Sequence, residues 1–359
     1  MNVHKIILTI GFLFSFSTAG MAKTIGFSVP LTGDFSELGE KFRKGVEIAA
    51  KALNTNARIV FVDDGCSAET AQGAAERLIA ERVDIIAGFL CNDAAIVAAT
   101  QVSEIGIPVI VSGARSVRLI KDREREEWNL WRMAPGDDYP VLAAAREISK
   151  TWREIPFALV DDGTIYGRNF TDQLRFQLDE LGIKPQFSDS FRAAQSTQAG
   201  LLRRLKRSGV TSALVASATM EDLQTIAIDN ARLEIDLDMM MTEAIAPLPF
   251  LETASELPAG IRAIGWPLRS VQELDERIRK EGFLPDQLIY DGYATLELAL
   301  GAVAQSHEQT TNNLSSGSFS TILGTISFKE NGASELNPYE LLIWDGEQFH
   351  TQPTATSTQ

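Results

Sequence analysis

The sequence predicts an α/β protein made of two similar units, each a parallel sheet wrapped by crossover helices. Three observations carry that prediction. From Lys23 onward, apolar β-branched runs alternate with amphipathic helical patterns. The strand runs are apolar at nearly every position, which suits sheets covered on both faces and paired in parallel through crossover helices. The alternation pauses once, across Met133-Ala134-Pro135-Gly136-Asp137-Asp138, and then restarts.

In chain order, a strand over Thr24–Val29 precedes a helix over Ser36–Asn54. There Leu38, Phe42, Val46, Ala49 and Leu53 recur at three- and four-residue steps on one face. Strands over Arg58–Asp63, Asp84–Gly88 and Pro108–Ser112 alternate with helices over Ala68–Arg82 and Asp93–Glu104. After the pause, helix Tyr139–Trp152 leads to strand Pro156–Asp161 and to helices Asn169–Leu181 and Ala199–Ser208. Strand Ser212–Ser217, helix Glu221–Arg232 and strand Asp238–Thr242 complete the second series. A second break falls at Gly265-Trp266-Pro267, and helices over Val271–Glu281 and Leu288–Ser306 are expected beyond it. The last strands, Thr325–Phe328 and Glu340–Trp344, read as antiparallel or edge strands split by the turn Glu330-Asn331-Gly332. The tail from Thr351 is polar and rich in Thr and Ser, a composition that frays.

Ahead of the first strand, His4 and Lys5 make a weakly basic start and Ile6 to Phe16 is an apolar run of 11 residues. Gly20-Met21-Ala22 then presents small residues where a signal peptidase cuts, so residues 1–22 read as an export signal and Lys23 as the first mature residue. The run is too short to cross a bilayer, which needs about 20 apolar residues. The net charge of −15, from 33 basic and 48 acidic residues, argues against nucleic acid or an anionic membrane surface as the main partner. Cys66 and Cys91 are the only cysteines. In an exported protein two cysteines usually pair, and a bond closing this loop would contribute about 3 to 4 kcal/mol. Two free thiols or a metal site are the alternatives, the latter poor because zinc sites recruit further Cys or His nearby.

Ligands of open parallel sheets bind beyond the carboxyl ends of strands, beside helix N-termini. The loops in those places carry small, hydroxyl and amide residues with a few charges. Thr219-Met220-Glu221-Asp222 reads as a helix start whose Thr side chain caps backbone N–H groups. Catalytic motifs are scarce. There is no Gly-x-Ser-x-Gly elbow, Walker loop, Gly-x-Gly-x-x-Gly turn or His-Glu-x-x-His helix. The pairs Asp63-Asp64 and Asp161-Asp162 stand at strand ends, where they could hold a divalent ion or simply cap loops. Only His307 and His350 remain after the signal, which leaves few general bases.

Several landmarks occur together in order. They are Ile25-Gly26-Phe27-Ser28-Val29-Pro30-Leu31-Thr32-Gly33, Gly39 and Gly45, Asp63-Asp64-x-Cys66, Gly88-x-x-Cys91, Pro108-Val109-Ile110, and Asp161 with Tyr166-Gly167. Tyr290-Asp291-Gly292-Tyr293-Ala294 and Gly324-x-Ile326-x-Phe328-x-x-x-Gly332 close the set. With them nearly the whole mature chain resembles the leucine/isoleucine/valine-binding type of periplasmic solute-binding protein, which feeds an ABC importer. The resemblance implies two Rossmann-like lobes with parallel sheets and a three-segment hinge, the type I periplasmic binding protein fold. Lobe 1 would comprise 23–135 and 267–324, and lobe 2 would comprise 136–266 and 325–350, with a flexible tail at 351–359. It further implies a monomer in the periplasm, without cofactor or metal, that binds a small amino acid or related carboxylate or amide between the lobes and docks on a permease.

Residue roles follow from the same resemblance. Tyr166 matches a cleft tyrosine that covers the ligand. Glu243 matches the acidic residue that pairs with a ligand α-ammonium, and a Glu among Met239–Met241 and Ile245 is costly to bury without a cation. Leu90 and Asn92 stand where backbone and a hydroxyl hold the ligand carboxylate, Asn92 replacing a serine. Gly113 and Ala114 match small residues that leave backbone groups open. Arg115 replaces a threonine, and it either forks onto a carboxylate or swings to solvent and leaves Ser116 as the contact. Leu38 and Thr219 each replace a tyrosine, which points to a roomier pocket and away from leucine-type specificity. The Cys66–Cys91 spacing is also the family's. A periplasmic sensor of the same fold is the alternative function, and a metal-assisted hydrolase using Asp63, Asp64 or Asp161 is a distant third.

Overall fold

The computed structural model describes residues 22–245, 257–267 and 270–351. The expected export signal up to Met21, and the expected tail beyond Thr351, lie outside the described residues. In the first lobe the strands are β1 (Thr24–Val29), β2 (Arg58–Asp63), β3 (Ile85–Gly88), β4 (Val109–Val111) and β5 (Leu130–Arg132). They form one parallel sheet in the order β2-β1-β3-β4-β5. The intervening helices are α1 (Ser36–Ala52), α2 (Ala68–Ala80), α3 (Asn92–Val102) and α4 (Val117–Glu126).

The second lobe repeats the plan. Helices α5 (Tyr139–Thr151), α6 (Ile165–Glu180), α7 (Ala199–Arg207) and α8 (Met220–Arg232) alternate with β6 (Phe157–Asp161), β7 (Phe187–Ser190), β8 (Ser212–Ala216), β9 (Asp238–Met241) and β10 (Arg262–Gly265). Their order, β7-β6-β8-β9-β10, is the first lobe's order over again. The chain then returns to the first lobe as α9 (Gln272–Lys280), α10 (Gln287–Ala302), α11 (His307–Ser316) and the hairpin β11 (Ser318–Thr321) and β12 (Gly324–Ser327). It ends on β13 (Glu340–Trp344) and β14 (Phe349–Thr351), which extend the second sheet antiparallel from β10. Thr351, expected in the frayed tail, pairs with Leu342 instead.

Each sheet has a core on both faces. In the first lobe Val62, Ile86 and Val109 pack with Leu78, Ala95 and Leu119 of α2, α3 and α4. On its other face Ile25, Phe27 and Ile110 meet Phe42 and Val46 of α1 and Leu296 and Ala299 of α10. In the second lobe α7 and α8 cover one face and α5 and α6 the other. Helices α1 and α10 touch backbone to backbone. A Cβ on Gly45 would fall 2.0 Å from the Ile289 carbonyl oxygen, and one on Gly292 would fall 2.1 Å from that of Phe42.

The expected third crossing moves. Ile326 and Phe328, assigned by sequence to lobe 2, pack in the first lobe beside Ile25 and Leu296. Gly332 then accepts a hydrogen bond from the Arg132 N–H, and Ser334 donates one to the Arg132 carbonyl. The chain therefore crosses only between Ser334 and β13. The physical reason is the β11–β12 hairpin, which ties this segment to the end of α10.

Candidate functional site

The carboxyl ends of both sheets face the gap between the lobes, and paired aspartates shape the loops there. Asp63 accepts from the backbone N–H groups of Leu31 (2.8 Å) and Gly65 (2.9 Å), and Asp64 accepts from Cys66 N (3.0 Å) and Ser28 Oγ (3.0 Å). The second lobe does the same. Asp161 accepts from Gly163 N (2.8 Å), and Asp162 from Thr164 N (2.9 Å) and Ala218 N (3.2 Å). Burial pushes Asp63 and Asp162 up, but these hydrogen bonds, led by those from Thr32 and Thr164, outweigh it and hold both carboxyls low. The lone pairs of these aspartates serve the loops. Cys66 and Cys91 are disulfide-bonded with Cα atoms 5.2 Å apart, so the loops after β2 and β3 are clamped together.

The loop after β4 supplies the first lobe's charge. Ala114 N donates to Phe89 O at 3.0 Å, and a Cβ on Gly113 would lie 2.6 Å from Leu90 Cδ2, so the turn closes tightly over Leu90. Asn92 accepts through Oδ1 from Ser116 N at 3.2 Å, which leaves its amide N–H groups as donors. Ser116 caps α4 by accepting from Arg118 N at 3.2 Å. With Ser116 so engaged, Arg115 turns into the gap. Arg132, itself only 2% exposed, holds that turn by donating from Nη1 to the carbonyls of Arg115 (3.0 Å) and Ser116 (2.9 Å).

Across the gap, β9 ends at Met241 and a single 3₁₀ turn, Glu243–Ile245, aims Glu243 back at Arg115. Arg115 Nη1 lies 3.5 Å from Glu243 Oε1, and the two side chains are 33% and 31% exposed, so the pair stands at a solvent-reachable rim. Tyr339 completes a ring. Its hydroxyl donates to Glu243 Oε2 at 2.5 Å and accepts from Arg115 Nη2, whose guanidinium also lies over the Tyr339 ring. Burial works to lower the Arg115 pKa, but Tyr339 and Glu243 beside it more than offset this and raise it. Tyr339 is pushed far above the ordinary phenol range, first by burial and then by Glu243.

Tyr166, on the first turn of α6, stands near enough to Glu243 and Arg115 for both charges to act on it, and burial pushes its pKa up to about 12. Trp266 flanks Tyr339, ring centroids 6.4 Å apart. Leu38, 37% exposed, sits on the first turn of α1. Thr219 departs from expectation. Its hydroxyl donates to Asp222 Oδ2 at 2.6 Å and makes no backbone cap for α8.

The structure thus brings Arg115, Glu243 and Tyr166 to one place, with Leu90, Gly113, Ala114, Asn92 and Ser116 shaping the loops below. Sequence reasoning missed Tyr339, Trp266 and Arg132. All three sit at or beside the inter-lobe crossings, and the signal available was an aromatic or arginine next to each break in the alternation.

A sequence profile described as periplasmic binding protein matches residues 23–347. The leucine/isoleucine/valine-binding protein homolog 2 of Brucella abortus is 24% identical over 336 residues, covering 89% of this chain and 90% of that protein. A putative branched-chain amino acid ABC transporter protein from Rhodospirillum rubrum superimposes with a TM-score of 0.79 at 14% identity, covering 92% of this chain and all of that one. An ABC transporter solute-binding protein from Rhodopseudomonas palustris, solved with 3,4-dihydroxybenzoic acid, gives a TM-score of 0.64 at 14% identity over 92% and 96% of the two chains. Two α/β lobes of one strand order, three crossings and a charged gap between strand ends agree with that fold, and the chain belongs to the periplasmic binding protein family.

Proposed function

We propose that this protein is an extracytoplasmic solute-binding protein of an ABC importer. It binds a small amino acid or related carboxylate or amide between its lobes, releases it unchanged, and delivers it to a membrane permease. The observation that carries the reading is the gap itself, where Arg115 of one lobe meets Glu243, Tyr339 and Tyr166 of the other. A small molecule touching both sides favours the closed arrangement, and closure is a population shift set by those shared contacts. The names and bound ligands of the relatives span branched-chain amino acids and an aromatic acid, which share a carboxylate. The family's members are periplasmic by name, and no helix among the described residues is long and apolar enough to cross a membrane; a monomer docking on a permease is part of the same reading.

The test is a thermal-shift screen at pH 7 over amino acids, amides, 2-oxo acids and aromatic acids, followed by mass analysis of the recovered ligand. A ligand at 100 times its dissociation constant stabilises by about 2.7 kcal/mol. At least one compound is expected to raise the melting temperature and to be recovered intact. A chemically altered ligand sinks the reading.

A further inference from the structure

Among the described residues, the orphaned polar atoms of the cleft can donate. Both oxygens of Glu243 are engaged, Oε1 by Arg115 and Oε2 by the Tyr339 hydroxyl. By contrast the Arg115 Nε–H is buried without a hydrogen-bond partner among the described residues, and so is the Tyr166 hydroxyl. Thr242 lies close enough to act on Tyr166, but its own proton is committed to Ser217 O (2.8 Å), so it does not donate to the Tyr166 hydroxyl. Two further orphans, Arg132 Nε and Asp138 Oδ1, belong to the first crossing, where both side chains crowd Gly136 and their opposite charges offset each other. A buried donor without a partner is costly. Here there is one on each lobe, close enough for the Arg115 charge to act on Tyr166.

Charge counting points the same way. A lone carboxylate in such a cleft suits a zwitterion, whose ammonium it neutralises. In this chain Arg115 occupies that role from within the protein. A ligand bearing only a carboxylate leaves the cluster with the net charge that Glu243 and a zwitterion would have together. An ammonium has to compete with Arg115 and Tyr339 for Glu243 and sits beside a guanidinium of the same sign. Because Arg132 grips the carbonyls of Arg115 and Ser116, the guanidinium is anchored at its backbone and is poorly placed to yield.

Resting on the solute-binding reading above, we propose that the cleft selects small carboxylates that carry no ammonium group. The Arg115 Nε–H and the Tyr166 hydroxyl donate to the ligand carboxylate, and Arg115 replaces the ligand's own cation.

Calorimetry on the full mature chain tests this with matched pairs: leucine against 4-methyl-2-oxopentanoate, phenylalanine against phenylpyruvate, and benzoate beside them. In at least one pair the acid without the ammonium is expected to bind 10-fold or more tightly than its amino counterpart. Tyr166→Phe removes only the hydroxyl and keeps the ring beside Phe170, so it is expected to fold, and it should weaken that acid about 10-fold. Arg115→Thr should weaken it 100-fold or more and shift preference toward the amino acid, since Glu243 is then free. Tighter binding of the amino acid throughout, or unchanged affinity in Tyr166→Phe, overturns the proposal while leaving the solute-binding reading standing. If no compound of either kind binds, the proposal falls, while the solute-binding reading is decided by the wider screen.

Discussion

At the scale of single residues, the side chains that matter were bound to charge partners the sequence could not pair. Arg115 and Glu243 were each legible as out of place, one replacing a small polar residue and the other set among methionines. That they meet one another is a tertiary fact. Asp291 shows a second residue-scale consequence. It is 6% exposed on α10, and its Oδ1 accepts from Gln287 Nε2 at 2.8 Å. Burial raises its pKa to about 7, against a smaller opposing pull from Gln287. The raised value means that folding favours the protonated form. Its stabilising contribution is full below about pH 4, the ordinary carboxyl range, and is lost as pH rises through about 7. Asp291→Asn is therefore expected to raise the melting temperature at pH 8 and to change it little at pH 4. An equal effect at both pH values would remove the assignment.

At the scale of elements, long amphipathic helices and fully apolar strands were legible because burial on both sides leaves a strong periodic signal. Short pieces were not. Strand β7 reads Phe-Ser-Asp-Ser, with alternate residues exposed, and looks like a loop. Strand β5 has three residues, and α4 carries so many charges that Leu119 and Ile120 hardly mark a face. Two of the landmark glycines, Gly45 and Gly292, become explicable only in the packed pair α1 and α10. Gly45→Ala or Gly292→Ala would drive a methyl group to about 2 Å from a backbone oxygen, and each is expected to cost at least about 2 kcal/mol in urea unfolding. An unchanged urea midpoint would mean the helices do not approach this closely. The disulfide is also an element-scale device, closing a 25-residue separation. Replacing both cysteines with serine should lower unfolding free energy by about 3 to 4 kcal/mol, and reductant should do the same to the native chain but not to the variant.

At the scale of the whole molecule, two lobes of the same strand order face each other through three crossings, and the Arg115–Glu243–Tyr339 ring bridges them. That ring joins side chains of both lobes, so it favours the closed arrangement of the gap. Arg115→Thr is expected to give a larger radius of gyration by small-angle scattering than the native chain, both without ligand. Raising the salt concentration should move the native chain the same way, because the pair is about one-third exposed and open to screening. Equal radii would show that the ring does not hold the lobes.

The sequence by itself determined the fold class, the two-unit plan, the turn-rich loops at strand ends and the family, because each leaves a local pattern in hydrophobic period, breaks and turn residues. Only the tertiary structure decided where the last crossing falls, that Ser116 caps a helix while Arg115 turns inward, and that Tyr339 closes a ring with Glu243. Those outcomes depend on contacts between residues up to 224 positions apart, such as Arg115 and Tyr339, and no local pattern encodes which distant charge a side chain will meet.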